Sequence, residues 1–205
     1  MIKHLKLACI FSLFTASSFA GEIFDRFPET INPDEKYVFY SHGYGGLSPT
    51  IKKAISDPDY NLIVYERTPY TNPKNYSANL AAQINELISH GVKPENITLL
   101  GFSDGGVISI LTSLKLKNDN INVIILAGCA GIVKVDPSIE VYGHVYSIYD
   151  NEDVLAGSCQ YLIDRSKHNK SFTELAINTG EGHTAFKMVL TDWIEPVKRW
   201  INSNP

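Results

Sequence analysis

The sequence predicts a single-domain α/β fold, a mainly parallel sheet of about six strands with helices on both faces. Tyr37-Val38-Phe39-Tyr40 reads as a strand, and the run Ile121 to Ala127 is too continuously apolar for a sheet with one wet face. Between such runs, apolar residues recur at helical spacing, the alternation that produces parallel strands joined by crossovers. Two runs end in glycine-rich stretches, Ser41 to Gly46 and Gly101 to Gly106. Such stretches mark backbone that must approach something closely.

The chain of 205 residues opens with a segment unlike the rest. Lys3 and Lys6 precede the apolar run Leu7 to Phe14, and Ala16 to Ala20 are mostly small. This is the layout of a secretory signal over residues 1–20, cleaved after Ala20, leaving one domain over 21–205. The apolar run is well short of the roughly 20 residues that span a bilayer, so no transmembrane segment is expected in the mature chain. The expected location is secreted or periplasmic.

Removing the leader takes away Lys3 and Lys6 but no acid, so the formal charge moves from −4 to −6, with 16 basic against 22 acidic residues. An anionic surface without a basic stripe argues against nucleic acid as a partner. Cys9 leaves with the leader, and Cys129 and Cys159 remain. In an oxidising compartment an isolated pair is expected to form an intrachain disulfide, the alternative being two buried thiols packed as small apolar groups.

The elements follow in order. A polar lead reaches the strand Tyr37 to Tyr40; a helix from Ser48 to Ile55 has Pro49 at its first position; Asn61 to Glu66 is a second strand. Tyr70 to Asn75 reads as a loop, and Ser77 as the N-cap of a helix whose core stripe is Leu80, Ile84, Leu87 and Ile88, stopped by Gly91. Ile97 to Leu100 is a strand, Val107 to Leu116 a helix, and Ile121 to Ala127 a further strand. His144 to Tyr149 and Glu174 to Asn178 complete six strands, and Phe186 to Ile201 has helical periodicity that Pro196 is expected to kink or split.

Gly101-Phe102-Ser103-Asp104-Gly105-Gly106, between a strand and a helix, has the form of a nucleophile elbow, with the serine at the apex of a strained turn. A Cβ at Gly101 or Gly105 would collide where strand and helix pass one another. The plainer reading is a tight turn whose serine caps the helix. Reactive groups also follow later strands: Asp150, Glu152 and Asp153 after the fifth, and His183 after the sixth. In open α/β sheets, working groups collect beyond the carboxyl ends of the strands.

The order serine, acid, histidine, with GxSxG after a strand and His42-Gly43 at an early strand end, resembles the α/β-hydrolase superfamily across nearly the whole mature chain. The resemblance implies an α/β-hydrolase fold and a small, lidless, esterase- or lipase-like serine hydrolase. Ser103 would be the nucleophile, His183 the base and Asp153 the acid, with Asp150 as the competing acid. The oxyanion donors would be the backbone N–H groups of Tyr44 and Asp104. His42 shapes the oxyanion loop in that family, and Asp104 is assigned only its backbone donor.

The scattered histidines and the lack of an HExxH or paired-cysteine motif give no metal reading, and no cofactor is expected. Only Cys129 to Gly143 separates the fourth and fifth strands, too short for a large helical lid. An open site walled by Tyr44, the 70–76 loop and residues around Ile132 is therefore expected. The resemblance further implies a small-molecule or acyl-ester substrate cleaved through an acyl-enzyme. Thioester or peptide cleavage on the same triad, and a non-catalytic binding protein that keeps the fold, are the alternatives.

Overall fold

Continuous apolar sequence becomes continuous burial in the computed structural model, which describes residues 21–203. The expected leader lies outside the described residues. The strands are β1 (Ile23–Phe24), β2 (Tyr37–Ser41), β3 (Asn61–Val64), β4 (Ile97–Phe102), β5 (Asn122–Leu126), β6 (Gly143–Asp150) and β7 (Asn169–Ile177). They form one sheet in the order β1-β3-β2-β4-β5-β6-β7, parallel at every pairing. Every residue of β2, β3, β4 and β5 is buried, because helices cover both faces.

Alternate residues feed two cores. Tyr37, Phe39, Leu99 and Val123 pack on one face against α2 (Pro73–Ser89) and α3 (Asp104–Leu116). Val38, Tyr40, Leu100 and Ile124 pack on the other with Ile51 of α1 (Pro49–Ala54) and with Trp193 and Val197 of α6 (Thr191–Ser203). Each large side chain so buried contributes roughly 1.5–3 kcal/mol relative to exposure. Two short helices, α4 (Ile132–Val135) and α5 (Gln160–Arg165), flank β6 in sequence.

The structure departs from the sequence reading in four places. The sheet has seven strands, because Ile23–Phe24 pairs with Leu62 and Ile63 at the edge. Helix α2 begins at Pro73, capped by Asn72, whose side chain accepts from the N–H groups of Lys74 and Asn75. Ser77 is therefore inside the helix, buried, with its hydroxyl donating to Lys74 O. Strand β7 starts five positions before Glu174, an exposed edge strand whose polar residues hid it. Helix α6 runs unbroken through Pro196; the interruption falls earlier, between a 3₁₀ turn over Gly182–Lys187 and Thr191.

Cys129 and Cys159 sit at disulfide distance, with Cα atoms 5.3 Å apart. The pair joins the segment after β5 to the start of α5. Among the described residues, no helix is long and apolar enough to cross a membrane.

Candidate active site

Strand β4 delivers Ser103 to the carboxyl edge of the sheet in a conformation dictated by crowding. A Cβ on Gly105 would overlap Ser41 O at the end of β2, and one on Gly101 would overlap Gly105 O. With α3 starting so close to the sheet, the single residue between strand and helix must turn sharply, and Ser103 takes φ 54° and ψ −119°. Its N–H donates to Leu126 O at 2.9 Å and its carbonyl accepts from Val107 N at 3.1 Å, so strand and helix both hold the strained residue. Its side chain makes no capping bond, which sets aside the plainer reading of this serine as a helix cap.

The Ser103 hydroxyl lies 2.9 Å from His183 Nε2, and His183 Nδ1 lies 2.7 Å from Asp153 Oδ2. Residues 80 and 30 positions apart in sequence thus meet in one line. The Asp153 side chain is wholly buried, and its Oδ1 accepts from the backbone N–H groups of Leu155 at 2.8 Å and Ala156 at 3.0 Å. Those bonds leave Oδ2 aimed at the imidazole.

Asp150, the competing acid, is also buried but is turned elsewhere. Its Oδ1 accepts from Glu152 N at 2.9 Å, and its Oδ2 from Thr179 N at 2.9 Å and Thr179 Oγ1 at 2.6 Å. Burial raises its pKa, but these bonds and one from Gly182 N outweigh it and hold the carboxyl below the usual range. Asp150 ties the turn carrying Asp153 to the loop carrying His183. Gly182, at φ 55°, completes the junction: a Cβ there would come within 2.9 Å of Glu152 O.

Beneath His183, Phe102 and Phe186 form an aromatic floor, with ring centroids 5.2 Å from Phe102 to His183 and 5.7 Å from Phe102 to Phe186. Trp193 Nε1–H donates to the carbonyls of Ala185 and Met188, fixing the 3₁₀ turn to α6.

A cavity of about 350 Å³ opens over Ser103 and His183. Tyr44, Thr71, Pro73 and Ile132, from the expected walls, line it together with Asp104, Val107, Ile108 and Leu155. Tyr44 is 55% exposed at its mouth. The loop bearing Tyr44 is held from beneath by His42, whose Nδ1–H donates to Gly43 O at 2.7 Å and whose Nε2 accepts from Arg67 N at 3.2 Å. Both nitrogens are satisfied by the neutral ring. Burial lowers the His42 pKa in the same sense, so the 3.7 Å approach of Glu66 to Nε2 is not an ion pair.

Arg67 also lines the cavity and went unnoticed in the sequence. Only 8% exposed, it donates from Nη2 to His42 O. Burial lowers its pKa, opposed by Asp104 first among its neighbours. The available signal was weak: an arginine three residues beyond a wholly buried strand.

The family model described as phospholipase/carboxylesterase matches residues 70–147, a stretch that includes Ser103 but stops short of Asp153 and His183. No curated protein matches the chain. Among solved structures, Arabidopsis thaliana SOBER1 is 13% identical with a TM-score of 0.59, the alignment covering 82% of this chain and 98% of that one. A lipase-esterase related protein from Clostridium acetobutylicum is 19% identical with a TM-score of 0.53, covering 82% and 96%. The RedJ thioesterase of Streptomyces coelicolor is 9% identical with a TM-score of 0.54, covering 86% and 91%. What these share with this chain is the α/β-hydrolase fold.

Proposed function

Starting from an α/β-hydrolase fold, we propose that this chain is a serine hydrolase that cleaves carboxylic esters, with Ser103, His183 and Asp153 as its catalytic triad. One observation carries the reading: the imidazole of His183 bridges Ser103 Oγ at 2.9 Å and Asp153 Oδ2 at 2.7 Å. A serine hydroxyl is a poor nucleophile at neutral pH, and this chain of hydrogen bonds is what activates one.

Ser103 Oγ attacks the ester carbonyl carbon while His183 Nε2 takes the hydroxyl proton. Asp153 holds Nδ1 protonated, so that Nε2 is the free base, and stabilises the imidazolium that forms. Charge on the carbonyl oxygen is met by the backbone N–H groups of Tyr44 and Asp104. Collapse of the tetrahedral species expels the alcohol, which takes the proton from Nε2, and leaves an acyl group on Ser103. Water deprotonated by His183 then releases the acid and restores the serine. The apolar walls at Val107, Ile108, Ile132 and Leu155 suit part of an acyl or alcohol group.

We extend the proposal to export into an oxidising compartment, supported by the leader pattern and by the Cys129 and Cys159 pair at disulfide distance.

The test is labelling by a fluorophosphonate probe, followed by a panel of nitrophenyl esters and thioesters. Labelling and ester turnover that both vanish in Ser103→Ala are expected. A folded wild-type protein that neither labels nor turns over any member of the panel overturns the reading.

A further inference from the structure

Arg67 is a buried cation in the wall of the cavity, and its bonds to the protein leave part of it unused. Nη2 donates to His42 O, whereas Nε is buried without a partner and Nη1 makes no hydrogen bond among the described residues. No carboxylate among the described residues comes within 4.0 Å of the guanidinium; Asp104 and Glu66 act on it from farther away. A buried charge is costly unless it is paired, and a guanidinium presents its N–H groups in a planar fork that matches a carboxylate. Holding a loop carbonyl needs one neutral donor. A full positive charge with Nη1 left over, in the wall of the cavity that also holds the proposed nucleophile, is suited to a further task.

We infer that Arg67 forms an anion subsite, and that the substrate is an ester carrying a carboxylate on its acyl or alcohol part; this rests on the hydrolase reading above. Helix α3, 13 residues long, starts at the same cavity, and its N-terminal end adds positive potential there. The exposed carboxylate of Asp104 opposes this, but from a solvated position where screening weakens it. The apolar wall residues take the methylene chain between ester and carboxylate.

The matched pair that reads this subsite is a nitrophenyl monoester of a dicarboxylic acid, adipic or suberic, against the ester of the monocarboxylic acid of equal length. Wild-type protein is expected to favour the charged member by about tenfold in kcat/KM, mainly through KM, as one well-placed charged hydrogen bond provides. In Arg67→Gln the ratio falls to one or below, and Arg67→Lys restores part of it. An unchanged ratio in Arg67→Gln, or a wild-type preference for the neutral ester, overturns the inference while leaving the hydrolase reading intact.

Arg67 also supports the loop under Tyr44, so Arg67→Gln is exposed to general loss of activity. A second measurement therefore uses wild-type protein alone. Adipate is expected to slow fluorophosphonate labelling of Ser103 at concentrations where adipamide does not; equal effects of the two overturn the inference. Failure of both ester classes and of labelling refutes the hydrolase reading instead.

Discussion

The carboxyl ends of β4 and β6 both present a side chain to His183, and they are built by different physics. At β4, close packing sets the form: Gly101 and Gly105 let α3 start against the end of β2, and Ser103 is left with φ 54°. At β6, hydrogen bonds decide, with Asp150 gathering Glu152 and Thr179 while Asp153 gathers Leu155 and Ala156. A steric junction has no partial form, whereas a hydrogen-bonded turn can lose one bond and relax. The two ends should therefore respond differently to substitution.

The largest effect is expected from Gly105→Ala. The new Cβ overlaps backbone at Ser41, which no rotamer relieves, so the cost exceeds about 4 kcal/mol. Thermal unfolding of whatever soluble protein forms checks it, and a variant as stable as wild type would break the steric account of the elbow.

Next is Asp153→Asn, which preserves the shape of the turn and the acceptor at Oδ1 but no longer holds Nδ1 of His183 protonated. The proposed triad predicts a fall in kcat of about a thousand- to ten-thousand-fold with the fold intact, read from steady-state kinetics beside a circular dichroism spectrum. Retained activity here, with loss in Asp150→Asn, would reverse the roles of the two acids.

Joining Cys129 to Cys159 closes a loop of 30 residues between the segments after β5 and β6. On the chain-entropy model this constrains the unfolded state by about 3–4 kcal/mol, less any relaxation. The measurement is denaturant unfolding of oxidised protein against the Cys129→Ala/Cys159→Ala variant, with oxidised intact mass two hydrogens below the dithiol.

The smallest effect is expected from Asp150→Asn, roughly 1–3 kcal/mol of stability at neutral pH as buried donors lose a charged acceptor. Its pKa is lower folded than unfolded, so its contribution is full above the unfolded value near 3.8 and fades as pH falls through the lower folded value. Unfolding curves of wild type and variant should accordingly converge below about pH 4. A gap that stays constant down to pH 2 would show that Asp150 acts by shape, as the elbow does.

This contrast explains what could be read in the sequence. Gly101 to Gly106 is legible because all its constraints lie within six residues, next to an apolar strand and a helix. His183 stood out by following the last strand in a Gly-His context. Asp150 and Asp153 were harder to rank, since they lie three positions apart in one turn and what separates their roles is the partner each takes from residues 179–183, which the pattern of the turn does not record. Arg67 was invisible for the same reason: its meaning lies in His42 and in the cavity. The edge strand β1 and the polar start of β7 lack the apolar runs that signal central strands, and Asn72 capped α2 ahead of the serine that fitted the pattern.

By itself the amino-acid order determined a mainly parallel sheet clothed by helices, a strained serine between β4 and α3, and the chain positions from which an acid and an imidazole would come. Hydrophobic periodicity and glycine sterics act over a few neighbours, so they survive in a linear text. Only the tertiary structure decided which aspartate meets the imidazole, which one braces the loop, and that a guanidinium lies in the cavity wall. Those outcomes depend on hydrogen bonds and burial between segments tens of residues apart, which exist only once the sheet has brought its strand ends together.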